Sequence, residues 1–431
     1  MEGIAEFSLT NAAPSVERCP QLSSRDWFAS VKPQSYSSVF PVISYQVSMT
    51  LPNLLIVGAS TRAAAFSALR AGLRPWCVDL FADRDLQQRC TVTRLTGRYP
   101  EGFRHILESD RPGPWMYTGG LENRPRFVQR MAQRRPLWGN AGIALSRCRD
   151  PRYVAAILRS AGMPVPAVIN AVEEASAARR WLLKPRQGAG GKGIRLWTPK
   201  ENSWDEKDVY CQEFIEGEAL ALLFLGDGQT AHLLGVTRQL VGEPWLHAAP
   251  FHYCGSIGPL DPRLIQHPSL AELGHQLGSE CRLTGLFGVD GVLQDGVFWP
   301  VEINPRYTAS IEVLEQATGS ALMKWHAHIF THRRLPDVLL SAAGIGRTIG
   351  KAILFAHADL HFPAEGPWLP DLRSPRPVQE LPSFADIPAA GEHIEKGKPI
   401  LTFFAAADSP TACENALRQI AADLDRWLLE R

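Results

Sequence analysis

The first sustained apolar run is Leu54-Leu55-Ile56-Val57, continuous rather than alternating, as a parallel strand buried on both faces requires. Gly58-Ala59-Ser60-Thr61 then turns the chain into an alanine-rich helix predicted over Arg62 to Ala71 and stopped by Gly72. A second strand is predicted at Pro75 to Leu80, with Asp79 near its end, and further strands around Trp115 to Thr118 and Pro136 to Trp138. Strand and helix in alternation imply a small Rossmann-type α/β unit ending near residue 140. Asp150 stands as an N-cap with proline at the next position, opening a helix predicted over Pro151 to Ala161 that Gly162 closes. Strands and glycine loops dominate from Val165 to Arg306. Beyond Arg347, short strands at Ala352 to Phe355 and Ile400 to Phe404 precede a terminal helix over Pro410 to Leu429.

The expected organisation is therefore a Rossmann-like unit at 49–140, a central α+β region at 141–330 and a C-terminal α+β extension at 331–431. The first 48 residues are rich in Ser and Pro and lack periodicity. They read as a disordered extension, and Met49, directly before the first strand, would make a natural initiator. They carry no basic stretch followed by an apolar core, so no secretory signal is expected.

Composition narrows the class. The chain has 431 residues, room for two or three domains of roughly 100–200 residues each. Lys+Arg total 45 against 44 for Asp+Glu, a formal net charge of +1, so no global field steers it toward nucleic acid or an anionic membrane. No stretch reaches the ~20 apolar residues of a membrane span. Eight cysteines without a C-x-x-C pair fit reduced thiols in a cytoplasmic protein.

The segment from Trp181 to Trp197 is the most informative. Gly188, Gly190, Gly191 and Gly193 let backbone amides approach a polyphosphate, and Lys184 and Lys192 supply positive charge to the same anion. Gly188, Gly190 and Gly193 fit G-x-G-x-x-G, but Ile194-Arg195-Leu196-Trp197 alternates like a strand where a Rossmann fingerprint needs a helix. Walker A fails too, because Gly193 follows Lys192 where Ser or Thr is required. The loop is expected to bridge two strands as a lid over phosphates; a plain glycine hairpin is the alternative.

A second cluster lies at Val289 to Arg306, where Asp295-Gly296 signals a β-hairpin. Glu302 and Asn304, two apart on one strand, share a face and offer oxygen ligands of the kind magnesium takes. Asp290 joins them only with the right parity. A two-residue loop pairs it with Val301 and puts Glu302 on the opposite face. A three-residue loop, Gln294 to Gly296, pairs it with Pro300 and makes Asp290 and Glu302 diagonal neighbours. An odd loop length is therefore expected if Asp290 is a metal ligand; otherwise it is a solvated residue near a turn.

Together these motifs, with Tyr210-Cys-Gln-Glu213-Phe214-Ile215-Glu-Gly-Glu218 between them, resemble the ATP-grasp superfamily, its biotin-carboxylase-like and carboxylate–amine ligase members in particular. The twelve-residue step from Asp290 to Glu302 is similar to that in biotin carboxylase, and the tail from Ala385 to Thr402 resembles the end of such ligases. Among uncharacterised members, the likeness points to those placed with one-carbon metabolism of the tetrahydromethanopterin and methanofuran type. The resemblance implies an ATP-grasp fold and ATP with magnesium, manganese being an alternative ion. It implies that Lys184 and Lys192 meet phosphates, that Glu213, Phe214 and Ile215 read the adenine, and that Glu218 binds the ribose. It further implies that Asp290, Glu302 and Asn304 hold the metal, and that Arg306, with Lys192, acts in catalysis.

The expected chemistry is activation of a small-molecule carboxylate as an acyl phosphate and its capture by an amine. Biotin carboxylases carry a catalytic Glu four residues beyond the arginine; Ser310 stands there, and Glu312 comes two residues later. A bicarbonate-using carboxylase and a nucleotide-binding regulator are the alternatives. The family likeness also suggests a homodimer. Four further expectations concern single segments. Gly58, Ser60, Thr61 and Arg62 offer an anion site at a helix N-terminus or plain packing. The stretch His252 to Gly258 is placed against the acceptor pocket. Arg238 reaches a phosphate or solvent. His326 and His328 face apart on a helix, which argues against a metal site.

Overall fold

A computed structural model describes residues 53–97, 99–107, 112–170, 178–198, 205, 207–337 and 346–429. The expected N-terminal extension lies outside the described residues.

The first layer is parallel. Strands β1 (Asn53–Gly58), β2 (Arg74–Asp79), β3 (Thr91–Arg94) and β4 (Trp115–Tyr117) lie in the order β3-β2-β1-β4. Between them run α1 (Arg62–Arg70), α2 (Arg84–Gln87) and α3 (Arg104–Leu107). The apolar run of β1 is buried on both faces: Leu55 and Val57 enter one core cluster, Leu54 and Ile56 another. The strand expected at Pro136 to Trp138 is reduced to a single bridge between Leu137 and Trp115.

Helices α4 (Pro125–Ala132), α5 (Ile143–Cys148) and α6 (Pro151–Ser160) lead into a small lobe. Asp150 caps α6 as its sequence foretold, its carboxylate accepting from the backbone N–H groups of Arg152 and Tyr153. The lobe is an antiparallel sheet of β5 (Val168–Ile169), β6 (Trp181–Pro185), β7 (Arg195–Leu196) and β8 (Val209–Glu213), ordered β5-β8-β6-β7. It has its own core of Ile169, Trp181, Leu183 and Cys211.

An eight-stranded antiparallel sheet forms the large lobe. In chain order it contains β9 (Glu218–Asp227), β10 (Ala231–Val241), β11 (Tyr253–Leu260), β12 (Thr284–Gln294), β13 (Val297–Asn304) and β14 (Thr348–Phe355). Helices α7 (Leu270–Glu280), α8 (Ala309–Thr318) and α9 (Leu322–His332) interrupt these strands. The pair β15 (Leu360–His361) and β17 (His393–Ile394), helix α10 (Leu369–Arg373), and strands β16 (Phe384–Ala385) and β18 (Pro399–Ala407) follow, and α11 (Pro410–Leu429) ends the chain. The strand order is β13-β12-β9-β10-β11-β14-β18-β16, so the segment after residue 331 widens the same sheet. Central strand β9 reads as an unbroken apolar run because it too is buried on both faces, Leu220, Leu222 and Phe224 on one side and Leu223 and Leu225 on the other. Among the described residues no helix is long and apolar enough to cross a membrane, and the cysteines are free thiols.

A buried ion network joins the parallel unit to the large lobe. The Arg62 side chain has no exposure; its Nε donates to Asp386 Oδ1 at 2.9 Å and its Nη2 to Glu312 Oε2 at 3.0 Å. Lys351 Nζ donates to the same Glu312 oxygen at 2.7 Å. Thr61 is spent on Asp79, and a Cβ at Gly58 would meet Thr118 Oγ1 at 1.8 Å. Arg62 is therefore a packing residue with its charge consumed inside the fold, and Glu312, paired with it, points into the same network rather than toward a substrate.

Candidate active site

The β12–β13 hairpin carries the acidic residues, and its register corrects the parity expectation. Its loop has two residues, Asp295 and Gly296, both at positive φ, with Gln294 paired to Val297. A bulge at Val301 then shifts the ladder, so Asp290 faces Glu302 directly and Gly288 faces Asn304. An even loop thus still places Asp290 and Glu302 side by side, because the extra residue sits within β13 and not in the turn. The bulge also frees the Val301 carbonyl, which accepts from Lys184 Nζ at 3.2 Å and Gln212 Nε2 at 3.4 Å.

Glu302 accepts from Arg149 Nη1 at 2.6 Å. Asp290 accepts from Gln239 Nε2 at 2.9 Å and from Asn304 Nδ2 at 2.7 Å. The Asn304 oxygen accepts from Arg306 Nη2 at 3.1 Å, and Arg306 Nε donates to Glu122 Oε1 at 2.8 Å. Burial and the adjacent Glu302 charge push the Asp290 carboxyl up to about 7 despite Arg306. Burial acts on Glu302 in the same sense, but Arg149 and then Lys184 outweigh it and hold Glu302 below the usual range. Two carboxylates and an amide oxygen on one face are hard donors, and they fit a magnesium ion that takes its remaining ligands from phosphates and water.

The glycine loop joins β6 to β7 antiparallel, as the alternation after Gly193 predicted. It docks on the start of β11: Tyr253 N–H donates to the Gly190 carbonyl at 3.2 Å. Gly191 lies at φ +80°, and a Cβ there would meet the Phe251 carbonyl oxygen at 1.8 Å, so only glycine allows this approach. At the base of the loop the Gly188 carbonyl accepts from Asn123 Nδ2 at 2.9 Å.

Between the two lobes lies a cleft of about 850 Å³. Lys184, Gly190, Gly191, Glu213, Phe214, Ile215, Glu218, Asp290, Glu302, Asn304 and Arg306 all line it. Gly188 and Lys192 line a smaller adjoining cavity, about 60 Å³, which Lys184 and Glu302 also face. Gly193 lines neither; it turns the loop at φ +81° against Pro185. In the hinge, the link from Glu213 to Glu218 that joins β8 to β9, the Phe214 N–H is taken by the Arg180 carbonyl at 2.8 Å, and the Arg180 guanidinium stacks on the Phe214 ring at 4.5 Å. Glu213 Oε2 accepts from the Ala167 N–H at 3.0 Å.

Tyr253, from the expected acceptor segment, lines the cleft and begins a hydroxyl chain, Tyr253 to Ser256 at 2.9 Å and Ser256 to Ser310 at 2.8 Å. Arg238 lines the cleft as well but is paired with Glu414 of α11. His326 is buried and accepts from the Leu286 N–H, whereas His328 stacks on His332, so the two do face apart. Sequence reasoning missed Glu122, Asn123, Arg149 and Gln239. Arg149 carried a faint signal, a cation beside the Asp150 cap; the others had none.

Residues 148–310 match the family model of the ATP-grasp domain. This segment is an ATP-grasp domain. Over 185 residues the chain is 23% identical to 3-methyl-D-ornithine--L-lysine ligase of Methanosarcina barkeri, covering 42% of this chain and 46% of that protein. The chain spans less than half the length of the curated relatives it matches. The L-amino acid ligase from Bacillus licheniformis gives a TM-score of 0.63 at 17% identity, over 86% of this chain and 97% of that one. A biotin carboxylase–beta-gamma-ATP complex from Campylobacter jejuni gives 0.60 at 15% identity, over 86% and 90%. These similarities establish the ATP-grasp fold.

Proposed function

We propose that the protein is an ATP- and magnesium-dependent carboxylate–amine ligase. One observation carries the reading: a single cleft collects the lid-strand lysine Lys184, the hinge, the Asp290–Glu302 pair and Arg306. A nucleotide seated on the hinge would direct its phosphates toward Lys184, Lys192 and the acidic hairpin. Asp290, Glu302 and Asn304 would hold magnesium, which would neutralise phosphate charge. Phosphoryl transfer needs positioning and positive charge more than covalent help, which matches a site of lysines and an arginine.

The substrate carboxylate belongs near Arg306 and the start of α8, where the Thr308 hydroxyl is buried without a partner and lines the cleft. A carboxylate oxygen attacks the γ-phosphorus and ADP leaves, giving an acyl phosphate. The amine nitrogen then attacks the acyl carbon, phosphate departs, and the nitrogen gives up a proton. Docking of the glycine loop on Tyr253 keeps water from the acyl phosphate. The relatives named above include an amino acid ligase and a lysine ligase, which supports small amino acid or amine substrates.

The test is ADP release across a panel of amino acids and amines, with bicarbonate as a separate arm. Magnesium-dependent turnover that needs both a carboxylate and an amine, with an amide product by mass spectrometry, is the expected result. ADP release on bicarbonate alone would assign a carboxylase, and nucleotide binding without turnover in any arm would assign a regulator.

A further inference from the structure

Arg149 bridges the acidic hairpin and the lid. It lies immediately before the α6 cap, its backbone fixed by an N–H bond to the Leu145 carbonyl at 3.0 Å. Its Nη1 takes Glu302 Oε1 at 2.6 Å. Its Nη2 takes Asn123 Oδ1 at 2.8 Å and reaches the Gly188 carbonyl, at the lid base, at 3.4 Å. The side chain is 16% exposed, and its Nε has no hydrogen-bond partner. The guanidinium faces the 60 Å³ cavity shared by Lys184, Lys192 and Glu302.

We propose that Arg149 is a positioning residue that competes with the divalent cation for Glu302 and transfers to the nucleotide phosphates when the cation takes that carboxylate. The inference rests on the ligase reading above. Glu302 Oε1 accepts a charge-assisted hydrogen bond from the guanidinium, which draws charge from the carboxylate and repels a divalent cation bound to it, so the two cations compete for Glu302. Bound magnesium and a triphosphate add two positive and about four negative charges, so the site as a whole needs cations nearer the phosphates. Arg149 is placed to supply one. The cavity beside its guanidinium is lined by Glu302, Lys184 and Lys192 as well, so a phosphate oxygen entering it would meet all three cationic side chains, Arg149, Lys184 and Lys192. Asn123 donates to Gly188 independently, so the lid base keeps a fixed pivot while the arginine moves. Its second role follows: by covering Glu302, Arg149 disfavours metal binding ahead of nucleotide and makes the two cooperative.

The experiment measures Mn2+ affinity by electron paramagnetic resonance on the full chain, with and without ADP. It compares wild type, Arg149→Ala, Arg149→Gln, Arg149→Lys, Glu302→Gln and the Arg149→Ala/Glu302→Gln double variant. Without nucleotide, Arg149→Ala and Arg149→Gln should bind Mn2+ about tenfold more tightly than wild type, and the double variant should lose the gain. With Mn2+ present, both should bind ADP about tenfold more weakly, while Arg149→Lys, which keeps the charge, falls between. Unchanged nucleotide-free Mn2+ affinity in Arg149→Gln, with wild-type melting, overturns the proposal. If Glu302→Gln leaves Mn2+–ADP binding intact, the ligase site itself is misassigned, a failure distinct from that of Arg149.

Discussion

Glu122 and Arg306, 184 residues apart, meet in a buried ion pair at 2.8 Å that orients the arginine from the N-terminal unit. Glu122 leaves a short turn (Leu121–Asn123) and is 1% exposed; its second oxygen has no partner. Burial works against the Arg306 charge, but Glu122 outweighs it and raises the guanidinium's affinity for its proton. Without the carboxylate, Arg306 keeps its charge and loses its aim. Glu122→Gln should therefore lower kcat about 10- to 100-fold and change KM for ATP less than threefold. Steady-state kinetics decide: an unchanged kcat means Arg306 is positioned without Glu122. Glu122→Ala, which strands a buried guanidinium, should also cost about 3–5 kcal/mol of stability by urea titration.

The two central glycines of the lid separate backbone strain from steric exclusion. Gly190 and Gly191 both sit at positive φ, but a Cβ at Gly190 meets nothing within 4 Å, whereas one at Gly191 runs into the Phe251 carbonyl. Gly190→Ala should cost only the conformational penalty, about 1 kcal/mol. Gly191→Ala should lift the loop from its dock, raising KM for ATP about tenfold and increasing ADP release without amine as water enters. Equal kinetics for the two variants would show that the dock plays no part in turnover.

What could be read from the sequence was local. The strand-to-strand glycine loop, the Asp150 cap and the pairing of Glu302 and Asn304 on one strand follow from spacings of a few residues, and the structure keeps them. Parity failed at Asp290 because it counts the turn only, and a bulge inside β13 adds a residue that no turn signal marks. Helix α7 went unseen inside a stretch read as strands, although Ser269 and Glu272 form its cap. The pairs Glu122–Arg306 and Arg149–Glu302 were beyond reach for another reason: their partners lie 184 and 153 residues apart, and only the folded lobes bring them together.

Arg62 decides between packing and substrate binding. Its guanidinium, itself without exposure, holds the buried Glu312 and the partly exposed Asp386, with Lys351 on the same glutamate. Arg62→Met would leave the buried Glu312 with one ammonium and Asp386 without its cation, a loss of about 3–5 kcal/mol. Urea unfolding should report that loss, with KM for substrates unchanged in the folded fraction. Retained stability with a raised KM for the carboxylate would instead return Arg62 to the substrate site.

His326 gives the fold a defined acid limit. Its Nδ1 accepts from the Leu286 N–H at 3.0 Å and its Nε2 lies 3.2 Å from the Trp138 carbonyl, so the neutral tautomer with the proton on Nε2 satisfies both. Burial lowers its pKa from 6.5 to about 4, the Trp138 carbonyl offsetting only part of that. A folded pKa below the unfolded one means the unfolded chain binds the extra proton first. The contribution is therefore complete above pH 6.5 and is lost as pH falls toward 4. A shift of that size corresponds to about 3 kcal/mol. His326→Gln has nothing to protonate, so between pH 7.5 and 4.5 it should lose about 2–3 kcal/mol less stability than wild type in paired urea titrations. Parallel losses in the two proteins would place the acid sensitivity elsewhere.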